Sequence, residues 1–122
     1  MEDGINLRAQ KIEFYDKLVA THPDAVRKGD TIPYTSLNGH MYSYFTKDNF
    51  MALKLPADER LKFIEKYGTK LVEQYGIVQK EYVMVPDSLL KKTDELKPYF
   101  FISYAYTSTL KPKPTTKSKK KE

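Results

Sequence analysis

Cysteine is absent from the 122 residues, which removes disulfides, thiolate metal ligands and thiol nucleophiles together and fits a reducing cytosol. Tryptophan is missing as well, and with only five glycines there is no glycine-rich loop to cradle a phosphate. The two histidines, His22 and His40, have no carboxylates at ligand spacing around them, so no metal site is expected. Neither Ser36 nor Ser103 sits in a Gly-x-Ser-x-Gly elbow. The acidic pairs Asp58-Glu59 and Asp94-Glu95 fall where helices start, a position that favours anions. These gaps point away from an enzyme and away from a bound cofactor. No apolar run approaches the roughly 18 residues of a membrane span. The opening Met1-Glu2-Asp3-Gly4 lacks the basic and apolar regions of a signal peptide. A soluble, cytoplasmic protein with no membrane contact is the expectation.

Charge is present but unevenly placed. The formal net charge is +5. Six lysines (Lys111, Lys113, Lys117, Lys119, Lys120 and Lys121) against the single Glu122 account for all of it, and residues 1–110 balance at 15 basic and 15 acidic side chains. Apolar and aromatic residues are concentrated between Ile5 and Leu110. The expected organisation is one domain over 1–110 and a disordered lysine-rich tail over 111–122, with no apolar residue to pack. Lysines on a flexible chain displace counterions from phosphate, so those six residues are the candidate for weak, sequence-blind nucleic-acid binding.

Periodicity supplies the fold class. Ile5, Ala9, Ile12, Tyr15 and Val19 recur at three- and four-residue steps, with Leu18 widening the stripe, as in a helix. The period changes to two over Thr31–Leu37, where Pro33 makes the strand an edge or an interrupted one. Asn38-Gly39 supplies the two positive-φ residues of a type I′ hairpin. His40–Thr46 alternates next, with Met41, Ser43 and Phe45 on one face and Tyr42 and Tyr44 on the other. Phe50–Leu55 is a third strand with Lys54 opposite Met51, Leu53 and Leu55. Pro56 opens a helix with Leu61, Ile64 and Tyr67 on its stripe, and Gly68 stops it. Thr69–Gly76 reads as a short helix or a loop, and Lys80–Val85 as a strand. Helical patterns follow from Pro86 and again from Pro98. The order is roughly α-β-β-β-α-β-α: a compact two-layer α+β domain with an antiparallel sheet packed against helices.

Tyr34, Tyr42, Tyr44 and Tyr82, with His40 beside them, form the candidate functional face. Tyrosines on a sheet stack bases in some proteins and make protein interfaces in others. A homodimer or other protein partner is the main expectation. The alternative is a small-molecule or catalytic pocket lined by Tyr34, His40, Tyr42 and Tyr82.

Part of the chain resembles the related YjbR (MmcQ) and TfoX N-terminal-domain families. Asn38-Gly39-His40-Met41-Tyr42 is similar to their Gly-Lys-Met-Phe hairpin, and Leu53-Lys54-Leu55 to the strand that follows. Tyr82-Val83-Met84-Val85-Pro86 resembles their late strand, and Ser103-Tyr104 with Leu110-Lys111-Pro112-Lys113 their closing helix and end. His40 stands where lysine is usual, Tyr82 where YjbR-like chains carry tryptophan, and the double glycine of the TfoX hairpin is missing. The resemblance covers residues 25–113. It implies the same α-β-β-β-α-β-α order and an accessory or regulatory role, often labelled DNA-binding.

Overall fold

The computed structural model describes residues 2–29, 32–74 and 76–112, with side chains from residue 8 onward. Its elements run α1 (Glu2–Val19), β1 (Tyr34–Leu37), β2 (His40–Phe45), β3 (Met51–Lys54), α2 (Ala57–Tyr67), β4 (Leu71–Gln74), β5 (Ile77–Val85), α3 (Asp87–Leu90) and α4 (Thr93–Ser108). The strands make one antiparallel sheet in the order β1-β2-β3-β5-β4. The architecture is the α+β class expected. Lys113, Lys117, Lys119, Lys120 and Lys121, with most of the expected tail, lie outside the described residues, as does Thr31.

Local chemistry explains most of the turns. Asn38 and Gly39 take φ of 57° and 81°, the paired positive values of the type I′ turn, and Leu37 pairs with His40 across it. Gly68 ends α2 in the left-handed conformation and returns its N–H to the Ile64 carbonyl. β1 starts just after Pro33 and is the first strand of the sheet, its outer side bridged only by Lys28 at Tyr34 among the described residues.

Three expectations are corrected. Residues 69–76 hold a strand, β4, antiparallel to an extended β5 that starts at Ile77 rather than Lys80. The last long helix begins at Thr93, so Pro98 lies inside it. Asp94 and Pro98 are both solvent-facing, and the carbonyl that loses its amide partner there is open to water. On α2, Phe63 is fully buried while Leu61 is 67% exposed. Phe63 turns toward Tyr99 of α4 (5.0 Å between ring centroids), and this contact sets which side of α2 faces inward.

One core lies between the helices and one sheet face. Tyr15, Leu18 and Val19 of α1, Phe63 of α2, Leu89 and Leu90 of α3 and Leu96 and Phe100 of α4 meet Phe45, Met51, Leu53, Val83 and Val85. A buried hydroxyl chain crosses this layer: Tyr15 Oη and Thr35 Oγ1 each lie 2.6 Å from Ser43 Oγ. Polar groups this deep are tolerated because they satisfy one another. Polar ties also close the rim. Lys11 Nζ donates to Asp87 and to the Asn49 carbonyl, and Arg8 donates to Asn49 and the Thr46 carbonyl. Among the described residues, no helix is long and apolar enough to cross a membrane.

Candidate functional site: the uncovered sheet face

Which side chains reach the second face is decided by a bulge in β2. Thr35 pairs with Ser43 but Ser36 pairs with Met41, so Tyr42 is an extra residue in β2. A bulge breaks the alternation of faces. Tyr42 therefore points the same way as Ser43, into the core. Its ring packs on Phe100 and Tyr104 at 5.7 and 5.5 Å, and it is 1% exposed. The expectation that Tyr42 shares a face with Tyr44 is thus corrected, and Met41 replaces it, 40% exposed.

The remaining tyrosines do assemble. Tyr34 pairs with Tyr44, Tyr44 with Ala52, and Ala52 with Met84, and directly paired residues share a face. Lys54 pairs with Tyr82 in the next row. Tyr44 and Tyr82 come from strands on either side of β3, yet their rings meet edge-on at 5.3 Å. They arch over β3 and leave Ala52 with no exposed surface. Tyr82 Oη donates to the Met41 carbonyl at 2.7 Å, which ties the arch to the strand beside the bulge.

Lys54 and Glu81, which were not among the sequence candidates, complete the face. The Lys54 side chain is 6% exposed, with its ammonium on Glu81 and 5.1 Å from the Tyr82 ring centroid. Glu81 is half exposed. The hydrogen bond from Lys54 holds its carboxyl below the usual range despite partial burial, helped by the charges of Lys54, Arg60 and His40. Burial pushes the Tyr82 phenol up to about 12, with Tyr44 and Glu81 adding to the shift. Burial alone raises Tyr44. The signal for this pair was a single lysine in the apolar run Met51–Leu55, whose pairing strand carries Glu81-Tyr82.

His40 sits at one end of the sheet. Its Nε2 is 2.9 Å from the Lys111 carbonyl, and Asn38 Nδ2 lies 3.5 Å from that of Ser108. The chain beyond α4 is therefore held on the β1–β2 hairpin through Lys111, one residue past the expected domain boundary.

Tyr34, His40, Tyr42 and Tyr82 do not line one pocket, because Tyr42 and Tyr82 lie on opposite faces. A cleft of about 550 Å³ lies elsewhere, between the end of α1 (Lys17, Thr21) and the start of α4 (Lys92, Thr93, Asp94). Among the described residues, no group of three or more His, Asp or Glu side chains is placed to hold a metal ion. The face offers tyrosine rings, the thioethers of Met41 and Met84, and one internally neutralised ion pair. Comparison with protein-family models, curated proteins and solved structures returns no match.

Proposed function

We propose that this is a non-enzymatic accessory or regulatory domain of the YjbR/TfoX-N type, working in the cytoplasm through protein contacts made by its uncovered sheet face. A single observation carries the proposal. Tyr34, Tyr44, Tyr82, Met41 and Met84 lie on the sheet face opposite the one that receives the buried residues of α1 to α4. Tyrosine and methionine are enriched at the centres of protein interfaces, and a sheet face with this much aromatic surface is a contact surface in want of a partner. The partner favoured is a second copy of the chain, since a two-fold axis lets one patch serve both sides.

Met41→Glu tests this with little risk to the fold, because Met41 is exposed and outside the core. Sedimentation equilibrium of the wild-type protein should show a concentration-dependent dimer. The variant's dissociation constant should rise roughly tenfold or more, the cost of a charge at an interface centre. A wild type monomeric at all concentrations, or a variant that dimerises equally well, removes the homodimer proposal.

The lysine-rich end supports a second activity of the same domain, weak nucleic-acid binding. Its motivation is that residues 111–122 hold the entire net charge. Retention on duplex DNA should fall steeply with salt, and replacing Lys113, Lys117, Lys119, Lys120 and Lys121 by glutamine should abolish it. Retention that survives both changes would place the binding site in the folded body instead.

A further inference from the structure

We propose that the cleft between the end of α1 and the start of α4 binds a small phosphate ester carrying hydroxyl groups, of the sugar-phosphate class. The cleft lies in the helical layer, away from the tyrosine face, so this site stands independently of the contacts proposed there. Its lining is the first support. The cleft encloses about 550 Å³, within the roughly 300–1,000 Å³ of small-molecule sites. Such sites are ordinarily walled by apolar side chains, whereas every residue lining this one is a lysine, a threonine or an acid. That wall offers little to an apolar ligand and much to one covered in hydrogen-bonding groups.

Charge is the second. Lys17, in the last turn of α1, shares the cleft with Lys91 and Lys92 from the α3–α4 junction. Among the described residues none of the three has a carboxylate within ion-pair distance, unlike Lys11 and Lys54. Unpaired lysines are ordinary on a surface, but three gathered at one opening from elements distant in the chain raise the local potential for an anion. Of the two acids in the wall, Glu95 accepts the Tyr67 hydroxyl of α2 at 2.7 Å, which leaves Asp94.

Unmet hydrogen bonds are the third. Thr93 Oγ1 is the one buried side-chain polar atom without a partner among the described residues, the kind of group that calls for a water, an ion or a ligand. Threonine in a helix divides between two χ1 rotamers, so this hydroxyl can turn to a bound oxygen. The N–H groups of Thr93 and Asp94 likewise have no partner among the described residues, as the first turn of a helix with no side-chain cap leaves them.

Donors and acceptors together define the ligand. A phosphate group takes the ammoniums and the first-turn donors, in charge-assisted hydrogen bonds. The acceptors are Asp94 and Thr21 Oγ1, whose own proton goes to the Leu18 carbonyl at 2.6 Å. They suit hydroxyl donors, and the Asp94 carboxylate would repel a second phosphate. No aromatic ring lines the cleft, so a nucleobase has nothing to stack on there. A phosphate at one end and hydroxyls at the other meet both kinds of group.

The test titrates the full chain with glucose 6-phosphate, inorganic phosphate and glucose at constant ionic strength, followed by backbone amide spectra. Glucose 6-phosphate should shift Thr21, Lys92, Thr93 and Asp94 along saturable curves. Inorganic phosphate should bind roughly tenfold more weakly, and glucose alone should do nothing. The triple variant Lys17→Gln, Lys91→Gln and Lys92→Gln should weaken glucose 6-phosphate by roughly tenfold or more. All three lysines are exposed, so its urea midpoint should match the wild type. Lys17→Gln alone, on a separate element, should give a smaller loss in the same direction. Asp94→Asn should weaken glucose 6-phosphate while leaving inorganic phosphate as tight or tighter. Shifts that do not saturate at these four residues, shifts spread over lysines elsewhere, or lysine variants that bind as the wild type does overturn the proposal. So does equal affinity for inorganic phosphate and glucose 6-phosphate, since the site would then be blind to hydroxyls.

Discussion

Phe100→Ala should lower the unfolding free energy by about 3–5 kcal/mol, the cost of deleting a fully buried aromatic side chain and leaving its cavity. Phe100 has no exposed surface and stands where the two layers meet. Its ring packs on Tyr42 of β2 at 5.7 Å and edge-on to His22, past the end of α1, at 6.4 Å. The cavity cannot collapse easily, because Tyr42 is fixed by the bulge and α4 is tied to the same strand through Ser103 Oγ, which donates to the Tyr42 carbonyl. Against a typical total of about 5–15 kcal/mol, such a loss brings a small domain close to unfolding. The urea midpoint should fall with the slope preserved. Phe101→Ala, at a half-buried neighbour, should cost about 1–2 kcal/mol by the smaller area it removes from water. A midpoint for Phe100→Ala no lower than that for Phe101→Ala would mean that α4 does not pack as described.

Alkali should unfold the protein above pH 10, the value at which free tyrosines ionise, as the pH climbs toward the raised folded values. Burial raises the phenols of Tyr15, Tyr42, Tyr44 and Tyr82 above their usual value of 10, with Tyr82 at about 12. A raised acid stays protonated in the folded protein after it has ionised in the unfolded chain. The unfolded chain therefore binds fewer protons, and stability falls with rising pH. The contribution of these groups is fully present below pH 10 and is lost as the pH climbs through their folded values. Phenolate absorbance and circular dichroism followed together should show these tyrosines ionising in step with loss of ellipticity. Ten phenols titrating smoothly near pH 10 with unchanged ellipticity would contradict their burial. Tyr15 is the sharpest case, since its hydroxyl is held 2.6 Å from Ser43 Oγ inside the core.

How much of this could be read from the chain depends on whether the cause was local. Asn38-Gly39 and Gly68 mark their turns because the backbone conformation itself selects the residue. The bulge at Tyr42 has no such marker. It exists because the ring fills space against Phe100 and Tyr104, residues more than fifty positions away, so simple alternation put Tyr42 on the wrong face. Residues 69–76 read as a short helix or a loop, and β4 was missed because Leu71-Val72-Glu73-Gln74 is too short to show a period of its own; pairing with β5 makes it a strand. Pro98 looked like a helix start because proline favours that position, whereas the helix tolerates it on its wet side. At the candidate site, Tyr34, Tyr44 and Tyr82 were legible from alternation. Lys54 and Glu81 were not, since their union depends on strand register across β3 and β5.

The placement of Lys54 limits what the tyrosine surface can accept. A wholly apolar surface laid there would strip water from the Glu81 carboxylate and leave only Lys54 to offset a desolvation cost of several kcal/mol per ion. A visitor carrying its own cation or hydrogen-bond donors avoids that penalty. Lys54, the last residue of β3, thus sets a polar condition on anything that would pack against the tyrosine face.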